Sequence, residues 1–494
     1  MPQIDGTTTA ILLEERPSKR VRPSPVNDVH TGDGLESGVK PHPLRIRPSG
    51  NAYTSRTNLK AGAGAFQRLE DELLMSLLEI LSPGDLAGLG RTCKFLYAFT
   101  RHDELWRDLF IRQGHSNFKW HGSWRNTLLG LPQAKASAID CSNVFADALY
   151  RPYQCACINV PEFVSNIPSG NEVPRLSDLS FEEYSGEWQH KPFILTEPVK
   201  QWPIYQEWSV ETLLEKHRDI IFRAEAVDWP LEKYVDYMKD NNDESPLYLF
   251  DHDFAEKMNL SIDSNKTQAL DYSPPSCFGP DLFTLLGSDR PHHRWLIIGP
   301  ARSGSTFHKD PNNTSAWNAV ITGSKYWLMF PSSSNTPPPG VFVTSDGAEV
   351  TAPLSIAEYL LTFHEIARRT PGCREGICHA GEVLHVPAGW FHMVVNLEDG
   401  IAVTQNFVPE SKLPDVLAFM RDSPEQVSGF SETVSDPYET FVARLRESCP
   451  AVLEDALAVL EKRKGGQGRW ERLVKATEVD GGSFSFGFGD DDVP

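Results

Sequence analysis

The chain has 494 residues, too many for one ordinary compact domain, and 40% of them are hydrophobic, including 12 Trp and 26 Phe, enough for two or three folded units. Its formal net charge of -20 disfavours direct nucleic-acid binding, because such a surface repels phosphate, and favours a basic protein partner. No apolar run approaches the ~18 residues of a membrane-spanning helix, so a membrane role is not expected.

The cysteines indicate a reducing compartment. Eight Cys are scattered along the chain, and the N-terminus lacks the basic and apolar regions of a secretory signal, so we expect free thiols in the cytosol or nucleus. Cys155 and Cys157 form a C-x-C, and Cys373, Cys378 and His379 lie close together. Neither group has a paired ligand set at zinc-finger spacing, so a structural zinc is not favoured.

Residues 1–64 are predicted to be a disordered tail, because they are rich in Pro, Ser, Gly, Asn and Thr and show no sustained period. Within the tail, RPSKRVRPSP clusters Arg16, Lys19, Arg20 and Arg22 between prolines. This cluster is either a solvated basic turn or a nuclear import signal. We therefore expect the protein in the nucleus, with the cytoplasm as a further location.

Residues 65–112 predict three short helices. Leucines recur at every fourth position from 69 to 81, as on one stripe of a helix. An SPGD segment interrupts the stripe, and Asp85 is expected to cap a second helix that carries Cys93 and Leu96. A third amphipathic piece surrounds Trp106. From the residues alone, this is a helical subdomain packed on the rest of the chain.

The same segment resembles the F-box in its L-x-x-E-L-L opening, its I-L-S-P-x-D-L centre, its T-C-K and its final D-x-L-W-R. The family's motif docks onto the Skp adaptor of a cullin–RING ubiquitin ligase. The resemblance implies that five residues contribute to that docking or to the core of the motif: Leu69, Leu74, Pro83, Leu86 and Trp106.

The remainder of the chain changes character twice. Residues 113–175 carry Trp120 and Trp124 and are predicted to be a packed connector, because aromatic side chains are rarely left in open solvent. Residues 176–410 contain short apolar runs bounded by Pro, Gly, Asn and Asp, which is typical of strands in a sandwich or barrel. Residues 411–494 return to amphipathic helices and end in an acidic tail that we expect to be frayed.

A candidate metal site lies in the strand-rich region. His308 and Asp310 are two residues apart, so on a strand both side chains face one cation. A third ligand is needed from another strand, and the candidates are His379, His385 and His392. His392 is favoured, because it follows a Pro-Ala-Gly turn and enters an apolar run. Two imidazoles and one carboxylate leave three open positions, as in non-haem Fe(II) oxygenases.

Lys325 is a second candidate. It follows the turn residue Gly323 at the start of a predicted strand, where an ammonium group could meet a dicarboxylate inside a barrel. The alternative for a single lysine is a surface position on a hairpin.

Residues 295–407 resemble the JmjC 2-oxoglutarate oxygenases and, more narrowly, the lysyl-hydroxylase type once described as a phosphatidylserine receptor. The shared text is WLIIGPARSGSTFHKDPNNTSAWNAVITGSKYW and GEVLHVPAGWFHMVVNLEDGIAVTQNF, with SPLYLFD upstream. The implied fold is mainly β with some α: a double-stranded β-helix (a jelly-roll, cupin-like JmjC barrel) over 176–410. It is preceded by the three-helix F-box and followed by a helical C-terminal region.

The resemblance also assigns site residues, with Fe(II) as cofactor and 2-oxoglutarate and O2 as co-substrates. The implied iron ligands are His308, Asp310 and His392. The implied 2-oxoglutarate contacts are Lys325 for the distal carboxylate, Tyr248 and Thr404 as its companions, Asn318 for the proximal carboxylate, and Asn406 in the pocket lining. His385 is expected in the core or behind the ligands. The family's Gly-Thr step before the first ligand is Gly304-Ser305 here, which keeps the hydroxyl. The relative's basic, serine-rich C-terminal region is missing, so its RNA-linked partners are not carried over.

The implied reaction couples decarboxylation of 2-oxoglutarate to oxidation of a protein side chain. Lysyl hydroxylation is favoured by the closer textual match, and N-methyl demethylation stays open, because the ligand set does not distinguish them. The acidic surface fits a histone or another Lys/Arg-rich substrate. One alternative is an F-box substrate receptor of an SCF-type ubiquitin ligase that uses the barrel as a binding module. Another is a metal-binding jelly roll without oxygenase activity.

Overall fold

The computed structural model describes residues 41–132, 139–262, 270–332, 337–344 and 350–463. The basic cluster of the N-terminal tail and the acidic C-terminal tail lie outside the described residues. None of the helices in the described ranges is long and apolar enough to cross a membrane. The chain forms two compact units, Met1–Gly279 with His292–Phe407, and Pro280–Pro291 with Val408–Pro494.

The first unit is built around two facing sheets. Its strands are β1 Arg175–Leu176, β2 Phe193–Leu195, β3 Ile221–Ala224, β4 Val227–Pro230, β5 Leu249–Asp251, β6 Arg294–Gly299, β7 Gly304–His308, β8 Ser315–Thr322, β9 Ser324–Phe330, β10 Phe342–Val343, β11 Val350–Thr351, β12 Arg374–His379, β13 Val383–Val386, β14 Phe391–Asn396 and β15 Gly400–Phe407.

The strand order is that of a jelly roll. The larger sheet runs β1-β2-β13-β8-β15-β6-β5-β3-β4, and the smaller sheet runs β12-β9-β14-β7. From β6 to β9 and from β12 to β15 the chain alternates between the two sheets, as expected for a double-stranded β-helix, and β10 and β11 pair separately. Strands β8, β9, β14 and β15 are almost wholly buried on both faces, because helices cover the outside of the barrel and side chains fill the inside. The predicted cupin-like barrel is therefore confirmed.

Fourteen described α-helices belong to this unit, besides several short 3-10 helices. They are α1 Asp71–Glu79, α2 Pro83–Leu89, α3 Lys94–Phe99, α4 Asp103–Arg112, α5 Trp124–Leu128, α6 Asp147–Ala156, α7 Val160–Val164, α8 Phe181–Gly186, α9 Pro203–Glu207, α10 Val210–His217, α11 Leu231–Lys239, α12 Phe254–Lys257, α13 Ile356–Thr362 and α14 His364–Arg369.

The F-box-like segment has four helices, where the sequence predicted three. The predicted second helix is split into α2 and α3, because Cys93 adopts an extended backbone (φ -155°) and becomes the N-cap of α3. The cap of α2 is Ser82, whose hydroxyl accepts a hydrogen bond from the backbone N–H of Asp85 at 3.2 Å. Asp85, the predicted cap, therefore lies inside the first turn, after a proline at the start of the helix.

The buried face of α1 also differs from the predicted leucine stripe. Leu74 and Leu78 are fully buried, whereas Leu73, on the predicted stripe, is 60% exposed. The two faces are one residue apart in sequence, and both recur at every fourth position, so periodicity alone could not choose between them. The choice was made by packing against the remaining helices.

Residues 41–64, which we expected to belong to the disordered tail, have a defined path. Ile46 is buried, and Arg47 and Phe145 form a parallel backbone bridge. The backbone N–H of Leu59 donates to the carbonyl of Asn143 at 2.9 Å. Pairing with a distant segment supplied order that the local composition does not predict.

One hydrophobic cluster joins the F-box-like helices to the larger sheet of the barrel. Trp106 and Phe110 of α4 belong to the same buried cluster as Trp229 and Trp317 of the sheet. Trp124, from the predicted connector, is fully buried in it. The F-box-like segment is thus continuous with the cupin-like barrel rather than attached through a flexible link.

The second unit is helical. Among its described residues it contains α15 Leu413–Asp422, α16 Pro437–Ser448 and a helix over 450–463. Their apolar faces enclose a separate core that includes Phe283, Leu417 and Phe441.

Candidate active site

The candidate metal ligands meet at the ends of two strands of the smaller sheet. His308 ends β7 and His392 is the second residue of β14, and the antiparallel register pairs these two residues directly. Asp310 lies two residues beyond His308 and turns its carboxylate to the same side. One ligand atom from each of the three residues lies within 4.8 Å of the others. Of all the described residues, only these three form such a group.

Backbone contacts aim both imidazoles. Nδ1 of His308 lies 2.8 Å from the carbonyl oxygen of Thr306, and Nδ1 of His392 lies 3.1 Å from that of Trp390. Because a carbonyl only accepts, Nδ1 must carry the proton in each ring. In the neutral form of each ring, Nε2 then carries the lone pair that can bind a metal.

The electrostatics of the triad also fit a cation. Burial, followed by the neighbouring His308, holds the pKa of His392 well below its usual value, so His392 stays neutral. Burial raises the pKa of Asp310, against the opposing effects of His308 and Asn406. Oδ2 of Asp310 is buried and makes no hydrogen bond. A buried carboxylate oxygen without a donor is costly unless a cation is near, so the residues present fit a divalent metal ion.

Lys325 lies in the barrel interior. It is the second residue of β9 and is 1% exposed. Its Nζ donates to the hydroxyl of Tyr248 at 2.6 Å and to Oδ1 of Asn396 at 2.7 Å. Burial lowers the pKa of Lys325 to about 7, with Cys378 opposing the shift. An ammonium has three donors, so one N–H remains for an anion in the interior.

Asn396 is a site residue that our sequence analysis missed. It ends β14 and is paired in register with Lys325. Its amide nitrogen donates to Oγ of Ser303 at 3.0 Å and to the carbonyl of Gly299 at 3.3 Å, which turns Oδ1 toward the lysine. A signal was present in the sequence, because Asn396 is four residues after His392 and therefore faces the same side of its strand.

Three further predicted residues line the larger sheet opposite. Asn318 on β8 is buried, and its Oδ1 makes no hydrogen bond. Thr404 on β15 is the cross-strand neighbour of Asn318, but its hydroxyl donates to the carbonyl of Trp317 at 2.8 Å rather than meeting Lys325. Asn406 donates to Oγ1 of Thr314 at 2.8 Å, and its side chain acts to lower the pKa of the nearby Asp310 carboxyl. Asn406 thus favours the charged form of Asp310, a candidate metal ligand.

The two remaining histidine candidates lie apart from this group. His385 is fully buried and stacks on Phe193, with Nδ1 3.1 Å from the carbonyl oxygen of Lys191 and Nε2 3.3 Å from the hydroxyl of Tyr184. It lies in the core, as we expected. His379 is exposed at the end of β12.

Comparison with known proteins gives two family matches, a cupin-like domain over residues 180–412 and an F-box-like domain over residues 66–112. An arginine-specific demethylase of Arabidopsis thaliana (JMJ22) is 36% identical over 459 residues, which cover 89% of this chain and 88% of the relative.

Two relatives are more distant. A bifunctional arginine demethylase and lysyl-hydroxylase of Caenorhabditis elegans (psr-1) is 32% identical, with 60% of this chain and 72% of the relative covered. A protein of Drosophila melanogaster named as a 2-oxoglutarate and iron-dependent oxygenase (a JMJD4 homolog) is 24% identical over 48% of this chain and 64% of its own length. The barrel, the interior site and these matches agree, and the chain belongs to the JmjC-type, cupin-like family of iron- and 2-oxoglutarate-dependent oxygenases, with an F-box-like segment before the barrel.

Proposed function

We propose that the chain hydroxylates lysyl side chains of a basic protein, using His308, Asp310 and His392 to hold Fe(II) and Lys325 to bind 2-oxoglutarate. The observation that carries the proposal is that a complete triad and a buried ammonium face one barrel interior. When bound, Fe(II) supplies the redox chemistry by which 2-oxoglutarate is decarboxylated and an oxygen atom from O2 reaches a C–H bond.

The chain's own residues would bind and orient the co-substrate. The free N–H of Lys325 pairs with the distal carboxylate. The hydroxyl of Tyr248, which accepts from the ammonium, keeps its proton to donate to the same carboxylate. The unpaired Oδ1 of Asn318 belongs to an amide that can turn its nitrogen toward the proximal carboxylate. The Thr404 hydroxyl lies on the interior side of the larger sheet, where its oxygen can still accept a hydrogen bond. Closure of these groups around the anion would exclude water.

The substrate class rests on charge and on the relatives. A net charge of -20 favours association with Lys/Arg-rich proteins such as histones. The C. elegans relative is named as a lysyl-hydroxylase as well as an arginine demethylase. Demethylation of N-methylarginine is the second candidate, and the name of the A. thaliana relative favours it. Both outcomes begin with hydroxylation of a C–H bond, because a hydroxylated N-methyl group collapses to formaldehyde.

The test uses two matched sets of basic peptides, one with unmodified lysine and one with methylated arginine. Purified protein is incubated with Fe(II), ascorbate, O2 and 2-oxoglutarate beside His308→Ala and Lys325→Ala. We expect succinate formation and hydroxylated lysine, recognised by the mass of one added oxygen, and both variants should lose them. Loss of a methyl group without any hydroxylated lysine would replace hydroxylation with demethylation.

A second function, docking onto a Skp adaptor, is favoured by an exposed apolar face on the F-box-like segment. Ile80 is 76% exposed and Leu73 is 60% exposed, although both are aliphatic. Apolar side chains that a fold leaves in water in this way are typical of binding surfaces. We therefore propose that this face meets the adaptor. Leu86 and Trp106 are fully buried and would support it from within.

Charged substitution of Leu86 or Trp106 would be expected to unfold the segment, so the docking test uses the exposed face. Ile80→Glu should abolish pull-down of the Skp adaptor while the thermal midpoint and the oxygenase activity are unchanged. Unaltered pull-down by Ile80→Glu combined with Leu73→Glu would refute the docking proposal. Nuclear residence is proposed from the basic cluster, and imaging of the tagged chain with Lys19→Ala and Arg20→Ala tests it.

A further inference from the structure

Helix α4 of the F-box-like segment inserts one charged side chain into the oxygenase domain. Arg107 is 6% exposed, and Nη1 donates to the carbonyl of Ser245 at 2.9 Å. Nη2 lies 3.4 Å from a carboxylate oxygen of Glu225, and Nη1 lies 3.8 Å from Asp243 and 3.9 Å from Glu104. A buried guanidinium tolerates desolvation only when such partners are held in place, so Arg107 joins two segments of the domain.

The first segment leads to Tyr248. Oε1 of Glu225 accepts from the backbone N–H of Tyr248 at 3.2 Å, while Oε2 faces Arg107. Tyr248 follows Ser245 by three residues, and its hydroxyl receives the ammonium of Lys325. A carboxylate bound on both sides thus connects the F-box-like helix to a residue of the co-substrate pocket.

The second segment leads to Asn396. Asp243, beside Arg107, also accepts from Nε1 of Trp124 at 2.9 Å. The carbonyl of Asp243 accepts from Nη1 of Arg302 at 2.7 Å, and the backbone N–H of Arg302 donates to the carbonyl of Asn396 at 2.8 Å. This second series of contacts ends at Asn396, the other hydrogen-bond partner of Lys325.

The backbone at Glu225 supports a role for its side chain. Glu225 has φ +49°, in the left-handed region that favours glycine and asparagine, and it lies in the tight turn between β3 and β4. Glycine there would relieve the strain but would remove the carboxylate that joins Arg107 to Tyr248. Strain kept at one residue is typical of a position held for function.

We propose that Arg107 is a positioning residue of the oxygenase: through Glu225 and Asp243 it holds both hydrogen-bond partners of Lys325 in place. The F-box-like helix α4 is then part of the co-substrate site and not a detachable adaptor module. The inference rests on the proposed role of Lys325 in binding 2-oxoglutarate. A partner protein that displaces α4 would weaken 2-oxoglutarate binding, and bound 2-oxoglutarate would weaken the binding of that partner by the same factor.

The test measures the dissociation constant of 2-oxoglutarate by calorimetry on the full chain, with Mn(II) in place of Fe(II). Arg107→Met is compared with Arg112→Met, a matched control on the same helix, since the Arg112 guanidinium donates only to carbonyls of helices α4 and α1, those of Asp108 and Glu79. We expect Arg107→Met to weaken 2-oxoglutarate binding by about 3- to 30-fold with Mn(II) affinity unchanged. Arg112→Met should bind as the wild type does.

Glu225→Ala is a second variant that guards against misfolding of the arginine variant, because the Glu225 side chain is 43% exposed and that of Arg107 only 7%. It should weaken 2-oxoglutarate binding in the same range. The positioning role would be overturned if Arg107→Met and Glu225→Ala both bind 2-oxoglutarate with wild-type affinity while Lys325→Ala loses binding. The proposed function would then still stand. A parallel loss of Mn(II) affinity would also overturn it, because that indicates a loosened barrel. Retained binding in Lys325→Ala would instead refute the proposed function.

Discussion

Replacing Lys325 by methionine tests the co-substrate pocket most directly. Methionine keeps the length of the side chain and removes the ammonium that Tyr248 and Asn396 hold at 2.6 and 2.7 Å. The distal carboxylate of 2-oxoglutarate would then enter a buried interior without a counter-charge. Leaving one charge of a buried pair uncompensated costs about 3–5 kcal/mol, so the affinity should fall by roughly a hundred- to several-thousandfold.

The same residue predicts a pH dependence. In the free protein the pKa of Lys325 is lowered to about 7 by burial, and a bound anion would raise it. The affinity for 2-oxoglutarate therefore has its full value below pH 7, where Lys325 is charged. It falls by about tenfold per pH unit above 7, until the pKa of the complex is reached. Tyr248 and Cys378, which face the lysine, have pKa values raised by burial and stay neutral over this range.

The assay is calorimetric titration of 2-oxoglutarate into the Mn(II)-loaded chain between about pH 6 and pH 9, with thermal unfolding as the control for folding. The wild type should lose affinity with rising pH, and Lys325→Met should show weak binding without that slope. A variant that binds within about threefold of the wild type would refute the reasoning, since the lysine would then not face the anion.

Three further outcomes are expected. In Gly304→Ala the new Cβ would meet a carbonyl oxygen of the neighbouring strand at 2.0 Å, so β7 must move. We expect the free energy of unfolding to fall by about 1–3 kcal/mol in thermal unfolding and the Mn(II) affinity to fall in metal titrations. The control Gly88→Ala, whose new Cβ meets nothing within 4 Å, should change neither quantity. Asn396→Leu leaves one N–H of the buried ammonium unpaired and should weaken 2-oxoglutarate binding by about tenfold while the Mn(II) affinity is unchanged. A 2-oxoglutarate affinity equal to that of the wild type would show that this amide is dispensable. Trp106→Lys should unfold the chain in a thermal melt, because the ring is fully buried, whereas Ile80→Glu should melt as the wild type does.

Several features were accessible from the sequence because they depend on local geometry. A histidine and an aspartate at i and i+2 face one side of any strand, so His308 and Asp310 could be paired without knowledge of the fold. His392 and Lys325 were candidates from their local sequence, the resemblance gave them roles, and the structure brings both into one interior. The barrel and the F-box-like segment were predicted in the same way, from short bounded runs and from a contiguous motif.

Other features were decided only when distant segments met. The register between β9 and β14 makes Asn396 the neighbour of Lys325, and no local pattern encodes a cross-strand register. Leucine periodicity on α1 allowed two faces, and packing buried Leu74 instead of Leu73. Arg107 appeared only as part of a motif until the fold placed it among carboxylates more than a hundred residues away. The sequence by itself determined which chemical groups were present and which side of its strand or helix each one faces. The partners of each buried charge depended on tertiary contacts. The physical reason is that a charge is stabilised by the groups within a few ångströms of it, wherever they lie along the chain.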